Sequence, residues 1–206
     1  MEARHIYHIT HVDNLPSILQ HGRLWSDAQR IAKRLTTTNI GHSHIKARRL
    51  RRRVAVAARG MLGDYVPFNF CPRSVMLYVI HRDSVEGYDG GQEPIIHLVS
   101  SVGVAIATGR PWAFTDRHAE LGYARYFDSI DREAQVDWSV MPRNYWAESD
   151  EMKEKRQAEF LVHEWFPFDA VEQIGVVNER MRSRVQKILA TSVFSPPVIV
   201  ERSWYY

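Results

Sequence analysis

One cysteine, Cys71, stands in a chain of 206 residues. A disulfide within the chain needs two thiols and a multi-cysteine zinc site needs more, so no staple of either kind can hold this chain together. Whatever it folds into must rest on a buried apolar core. The length permits that, because a chain of this size buries about 70% of its unfolded surface on folding. Hydrophobic residues make up 45% and charged residues 25%, which excludes a wholly disordered, collagenous or coiled-coil chain. A single thiol fits a reducing compartment. No apolar run approaches the roughly 18 residues of a membrane span, and Met1-Glu2-Ala3-Arg4-His5 carries no apolar signal core. A cytoplasmic protein without a membrane segment is therefore expected. Turn-forming residues are spread evenly, with no repeat and no low-complexity linker, so residues 1–206 read as a single domain.

Charge is unevenly distributed. The formal net charge is only +3, yet Lys46, Arg48, Arg49, Arg51, Arg52 and Arg53 crowd into eight positions. Such a block suits an anionic partner, either nucleic acid or a phosphorylated small molecule, although composition alone favours a solvated helix face. If residues 43–58 form one helix, Arg48, Arg51 and Arg52 share a face, and Arg49 and Arg53 share another.

Apolar periodicity places the other elements. Residues 6–9 read as a strand, followed by a short helix capped by Asp13 or Asn14, carrying Leu15, Ile18 and Leu19, and stopped by Gly22. Residues 27–35 suggest another short helix. Residues 74–80 are apolar on both faces, as in a covered central strand, and 95–99 and 102–106 read as further strands. Residues 112–115 lead toward a helix capped by Thr115 or Asp116. After a polar stretch over 128–156 come strands at 158–163 and 171–177, an amphipathic helix over 178–189 and a closing strand over 198–202. Strands interleaved with helices indicate a mixed α/β or α+β domain. No Gly-x-Gly-x-x-Gly and no Walker loop is present, so a nucleotide would need other means of binding.

Three constellations carry chemistry. In Tyr7-His8-Ile9-Thr10, followed by Asn14, Ile18-Leu19 and Gly22, a strand end offers an imidazole and a hydroxyl to a cleft. Together they suit a ribose and a carboxamide, although His8 alone reads as well as a core histidine. Phe114-Thr115-Asp116, followed by His118-Ala119 and Tyr123, is the second. In the third, Gln157-Ala158-Glu159, the first and last residues face the same side of a strand. A carboxylate there needs either a salt bridge or a task. Stabilising an oxocarbenium-like centre at a ribose C1′ is such a task. The histidines at 5, 8, 11, 42 and 44 do not converge at ligand spacing and lack cysteine support, which argues against a metal site.

In this order the three resemble the NAD-binding and catalytic motifs of the ADP-ribosyltransferase superfamily, with Ile9 where its polymerase branch carries glycine. The segments between them narrow the match. Ile40-Gly41-His42-Ser43, Ile45-Lys46 with Arg49, Gly63-Asp64-Tyr65-Val66-Pro67-Phe68-Asn69-Phe70 and Pro72-Arg73-Ser74-Val75-Met76-Leu77-Tyr78 resemble the DarT family, bacterial toxins that ADP-ribosylate thymine in single-stranded DNA. The resemblance covers roughly residues 5–202. It implies an α+β ADP-ribosyltransferase fold with a split central β-sheet flanked by helices. It implies NAD+ as co-substrate, no metal, and glycosyl transfer to thymine N3. Glu159 and Arg51 would be catalytic, with Arg49 the competing arginine. His8, Thr10, Asn14, Gly22, Arg51, Phe114 and Tyr123 would bind NAD, and Arg49, His118, Tyr145, Trp146, Lys153 and Gln157 would meet the DNA. Trp138, Tyr145 and Trp146, with Arg143, Lys153 and Lys155, supply the stacking and phosphate contacts a single strand needs, although Trp146 reads equally as a hydrophobic pin for its loop. The implied partner is the antitoxin DarG, through its macrodomain. Thymine N3 loses its proton only near pH about 10, so an enzyme must remove it, and Glu159 is the expected base.

The alternatives are an RNA-directed transferase like the tRNA 2′-phosphotransferase, a non-catalytic nucleic-acid-binding module, and a transferase acting on protein or small molecules. The first needs no carboxylate in the third motif. The second needs neither His8 nor Glu159, and the third does not need six basic residues in eight.

Overall fold

A computed structural model describes residues 4–146 and 149–206. In chain order the strands and α-helices are β1 (His5–His11), α1 (Leu15–His21), β2 (Arg23–Trp25), α2 (Asp27–Ala32), α3 (Ser43–Arg49), β3 (Tyr65–Asn69), α4 (Val75–His81), β4 (Ile95–Ser101), α5 (Val102–Ala107), β5 (Trp112–His118), β6 (Tyr126–Phe127), α6 (Asp150–Arg156), β7 (Ala158–His163), β8 (Trp165–Pro167), β9 (Gln173–Val176), α7 (Glu179–Leu189) and β10 (Val198–Val200). Eight strands form one sheet in the order β10-β9-β4-β1-β3-β7-β5-β6, and β2 pairs with β8 in a second. The architecture is α+β.

The large sheet has a seam. β1 and β4 stay in register over seven pairs and β3 and β7 over five, but β1 and β3 share only Tyr7↔Asn69. Pro67 explains the weakness. Its carbonyl faces β1, where it accepts a hydrogen bond from His8 Nδ1 at 2.8 Å. In an antiparallel strand a residue's N–H and C=O point to the same neighbour, so the donor that proline lacks is missing on that side. The sheet is split where β1 leaves β3, and a cleft opens there.

Several elements differ from the sequence expectation. Residues 74–80 are not a central strand. Ser74 accepts a hydrogen bond from the Leu77 N–H at 3.1 Å and caps α4, which buries Val75, Leu77 and Ile80 at helical spacing and turns Met76 and Tyr78 outward. A short run apolar on both faces fits a helix as well as a strand, and the serine cap decides. Ser74→Ala should therefore lower stability by about 1 kcal/mol, read as a fall in Tm. A change within error would remove the cap as the cause.

Residues 102–106 likewise form a helix, α5, with Ser101 as its cap. Residues 112–118 stay extended as β5, with no helix starting at Thr115 or Asp116. The basic helix ends at Arg49 and does not continue to residue 58. Beyond it the backbone of Arg52, Arg53 and Val54 pairs with residues 60–62, and Gly63 lies so close to Leu50 that a Cβ there would fall 2.6 Å from Leu50 Cδ2. Five crowded arginines offer a helix no stabilising i,i+4 partners, and this tertiary pairing replaces it. The helix over residues 15–21 does end at Gly22, whose φ of +64° lies in the left-handed region.

Candidate active site

The cleft at the seam has a volume of about 280 Å³, near the lower end of small-ligand sites. Its floor comes from the sheet: His8 and Thr10 on β1, Asn69 on β3, Glu159 on β7. α2, α3, α4 and residues 35–42 wall it.

Glu159 is held by four hydrogen bonds with three residues. Arg49 donates from Nη1 to Oε1 and from Nη2 to Oε2, each at 2.9 Å. The Ala119 N–H reaches Oε1 at 3.3 Å, and the Thr115 hydroxyl accepts from the Glu159 N–H at 3.0 Å. The last two contacts depend on a break in register between Phe114 and His118, where β5 bulges against β7. A bulge re-aims the residues it contains, and here it brings His118 and Ala119 back toward the carboxylate. Asn69 faces Glu159 across the β3–β7 ladder.

The electrostatics follow from burial and pairing. Burial, the largest single influence, pushes the Glu159 carboxyl up, but the Arg49 guanidinium together with His118 and the Ala119 N–H outweighs it and holds the pKa below the ordinary range. Burial lowers His118, with Glu159 opposing, and the net direction is down. His8 is lowered by burial as well. A carbonyl can only accept, so the His8–Pro67 bond fixes the proton on Nδ1 and leaves Nε2 an acceptor. On α2 and α3, Asp27 Oδ1 accepts from Arg30 Nη1 at 2.7 Å and from Lys46 Nζ at 3.4 Å. Burial depresses the Lys46 ammonium despite Asp27.

Asn14 precedes α1 but does not cap it. Its amide donates to Thr10 Oγ1 and to the Thr38 carbonyl, each at 3.0 Å, and accepts from the Thr38 N–H at 2.8 Å. It thereby fastens the wall segment over 35–42 to the end of β1. His8, Thr10, Asn14, Arg49, His118, Gln157 and Glu159 all meet at the cleft.

Other expected residues do not reach it. Arg51 lies in the turn after α3 with an exposed side chain, because the helix has already ended; Arg49 occupies the buried position beside Glu159. Phe114 pairs with Phe160 and so points to the opposite face of the sheet from Glu159, where it stacks on Phe127. Tyr123 is 58% exposed, and its hydroxyl donates to Glu154 at 2.6 Å. Gly22 turns the chain into β2 outside the cleft lining. Trp146 is buried, with Nε1 donating to the Tyr206 hydroxyl at 3.2 Å, so it pins its loop and presents no ring to a base. Trp138 packs on Phe70 beneath Arg4. Tyr145 and Lys153 are exposed, and Gln157 Nε2 donates to the Lys153 carbonyl at 3.0 Å. Within the 128–156 stretch, residues 147–148 lie outside the described residues. Arg48 and Arg52 share Glu120, at 2.7 and 3.9 Å, so part of the basic block is pinned beside His118.

Sequence reasoning passed over Asp27, Arg30 and Asn69. Asp27 and Arg30 carry a weak signal, opposite charges three apart behind a Ser26 cap. Asn69 carries none until β3 is set beside β7. Among the described residues no group of three or more His, Cys, Asp or Glu could hold a metal ion, and no helix is long and apolar enough to cross a membrane.

Residues 7–206 match the family model described as "ssDNA thymidine ADP-ribosyltransferase, DarT". A DNA ADP-ribosyl transferase of Thermus sp. (strain 2.9) is 45% identical, over 100% of this chain and 97% of the relative. That protein's structure in complex with ADP-ribosylated single-stranded DNA superposes with a TM-score of 0.95 at 44% identity, covering 100% of this chain and 98% of that one. Its structure in complex with NAD+ gives 0.92 at 43%, covering 100% and 99%. A fusion of a DNA ADP-ribosyl transferase with a DNA ADP-ribosyl glycohydrolase from Thermosipho africanus is 28% identical over 98% of this chain and 50% of the fusion. The Arg49–Glu159 pair and the His8 imidazole line one cleft, and with these matches over the whole chain the protein belongs to the DarT family of single-stranded-DNA thymidine ADP-ribosyltransferases.

Proposed function

We propose that residues 1–206 act as one NAD+-dependent unit that transfers ADP-ribose to N3 of thymine in single-stranded DNA. The observation that carries this reading is the bidentate Arg49–Glu159 pair on the cleft floor. It is supported by the family model and by a 45% identical relative whose structures contain NAD+ and ADP-ribosylated single-stranded DNA.

In the reaction the bond from the ribose C1′ to the nicotinamide nitrogen breaks, and nicotinamide leaves neutral with the bonding pair. Thymine N3 supplies the pair for the new bond to C1′, and its proton goes to the Glu159 carboxylate. His8 holds the NAD ribose or carboxamide through its bare Nε2, with Thr10 beside it. Glu159 also steadies the positive charge that develops at C1′. Paired with Arg49, it is a weak base. An anionic oxygen on deprotonating thymine or on the NAD phosphates draws Arg49 away, and burial then raises the carboxyl toward a useful basicity. Arg30 and Lys46, drawn together by Asp27, offer positive charge to the pyrophosphate.

His8 predicts a pH dependence. Its folded pKa is depressed, so the neutral ring persists below its ordinary value of about 6.5. NAD affinity should therefore stay flat from pH about 8 down to about 6. A loss of affinity centred near pH about 6.5 would instead mean that the imidazole accepting from NAD titrates at its ordinary value, and would overturn the assignment of that role to a ring kept neutral by burial.

The direct test is to incubate the protein with NAD+ and two matched oligonucleotides, one containing thymine and one lacking it, and to weigh the products. An ADP-ribose adduct on the first alone is expected. An adduct on both, or on neither, would discard the thymine assignment. A toxin role in the bacterial cytoplasm, opposed by a DarG-like macrodomain that removes the mark, is the corresponding biological proposal. It is supported by the relative in which transferase and glycohydrolase are fused.

A further inference from the structure

Of the three aromatics between β6 and β7, Trp138 and Trp146 are packed inward, while Tyr145 is 82% exposed. An exposed aromatic is ordinary when its segment is free to move. This one is fastened on both sides. Asn144 Oδ1 accepts from Arg73 Nη1 at 3.0 Å, and Trp146 donates from Nε1 to the Tyr206 hydroxyl at 3.2 Å. The two fastenings are themselves joined. The Arg73 guanidinium lies 4.3 Å over the Tyr206 ring, and the Tyr206 hydroxyl donates to the Arg73 carbonyl at 3.0 Å. The buried Arg156 donates from Nη2 to that same carbonyl at 3.0 Å, and from Nη1 to the carbonyls of Val140 and Met141 at 2.6 and 2.7 Å.

This hub connects two walls of the cleft. Arg73 precedes α4, whose Val75, Met76 and Val79 line it, and the Trp146 ring meets Tyr78 of the same helix edge-on at 5.2 Å. Arg156 precedes Gln157 and Glu159. An outward tyrosine whose two chain neighbours are fastened to those walls loses little backbone entropy when a flat partner covers its ring. The Arg73 guanidinium beside it adds positive charge.

We propose that Tyr145 is a preorganised stacking platform for a nucleobase of the single-stranded acceptor, and that Tyr206, acting through Trp146 and the Arg73 carbonyl, is the positioning residue that holds it in place. This rests on the function proposed above and identifies which side chains hold the acceptor strand. Tyr206 touches neither substrate. Its hydroxyl acts by fixing Trp146 to the Arg73 carbonyl at the start of α4, and with Trp146 the adjoining Tyr145.

The test measures KM for a thymine-containing oligonucleotide, kcat and the Kd for NAD+ in four variants. Tyr145→Ala is expected to raise the oligonucleotide KM about tenfold, with the NAD+ Kd unchanged within about twofold, and Tyr145→Phe to restore it because the ring does the stacking. Tyr206→Phe, which removes one hydroxyl, should raise the same KM about threefold or more, again with NAD+ binding unchanged. Tyr145→Ala/Tyr206→Phe should be no worse than Tyr145→Ala, since both act through one ring. A merely structural Tyr206 would instead lower Tm and the active fraction, moving kcat while leaving the oligonucleotide KM alone. That pattern, multiplying effects in the double variant, or an unchanged KM in Tyr145→Ala would each overturn the proposal. Should the parent protein leave the oligonucleotide unmodified, the acceptor assignment itself fails and this inference is overturned with it; modification by the parent combined with indifferent variants defeats this inference alone.

Discussion

Glu159→Gln should reduce ADP-ribosyl transfer by about a thousandfold or more while NAD+ still binds. General-base catalysis accounts for about 10²–10⁴ in rate, and loss of charge stabilisation at C1′ adds to it. The amide keeps the shape of the carboxylate, so the Ala119 N–H retains a carbonyl acceptor, but it cannot take the N3 proton or balance a cation. The variant isolates chemistry from binding, because the interaction it removes strengthens only as the transition state forms. Single-turnover rates at saturating NAD+, together with titration of NAD+ binding, would check this. Transfer within tenfold of the parent would mean that another group takes the proton. Glu159→Ala tests the same role but leaves Arg49 buried without its partner, a situation that costs about 3–5 kcal/mol, so its stability must be measured beside its rate.

Arg49→Ala and Arg51→Ala should differ by about two orders of magnitude. Arg49 is buried against Glu159, whereas Arg51 points to solvent from the turn that follows. Losing Arg49 removes the guanidinium that keeps Glu159 ionised, and burial then raises its carboxyl pKa. The transfer rate of Arg49→Ala should therefore fall by about 10²-fold at neutral pH and recover partly at higher pH, where the carboxyl ionises again. Arg51→Ala should stay within about threefold, its loss confined to weaker phosphate attraction at low salt. Comparable losses in the two variants would return Arg51 to the site. A pH-independent deficit in Arg49→Ala would mean that it serves only to bind phosphate.

Linked ionisation also bears on stability. The folded pKa of Glu159 is depressed below its unfolded value, so the stabilisation it contributes is complete above that unfolded value, about 4.3, and is lost as pH falls through the folded one. Around neutrality the Arg49–Glu159 pair is intact, and the stability of Glu159→Gln should diverge least from the parent in strong acid, where the carboxylate has been protonated.

Much of this protein could be read from local order in its residues. The Gly22 stop, the strand carrying Glu159, the helix capped by Asn178 and the strand carrying His8 all depend on patterns within a few positions, and each formed where those patterns put it, whereas Gln157 ends α6 and lies outside the strand. His8, Thr10 and Glu159 were legible for the same reason, since a strand's alternation says which neighbours share a face. What the pattern could not decide was any choice made by a distant partner. The apolar run within 74–80 is the local exception: its pattern fits strand and helix alike, and the adjacent Ser74 cap decides for the helix. The basic helix stops at Arg49 because residues 60–62 take over its backbone hydrogen bonds. That stop, which no periodicity announces, separates Arg49 inside from Arg51 outside. The bulge in β5 that lends Ala119 and Thr115 to Glu159, and the missing donor of Pro67 that opens the sheet beside His8, have meaning only once the strands lie side by side. Local propensity and alternation act over a turn of helix or a pair of residues in a strand. Arg49 and Glu159 are 110 residues apart, and only the packing of the sheet against α3 brings them to 2.9 Å.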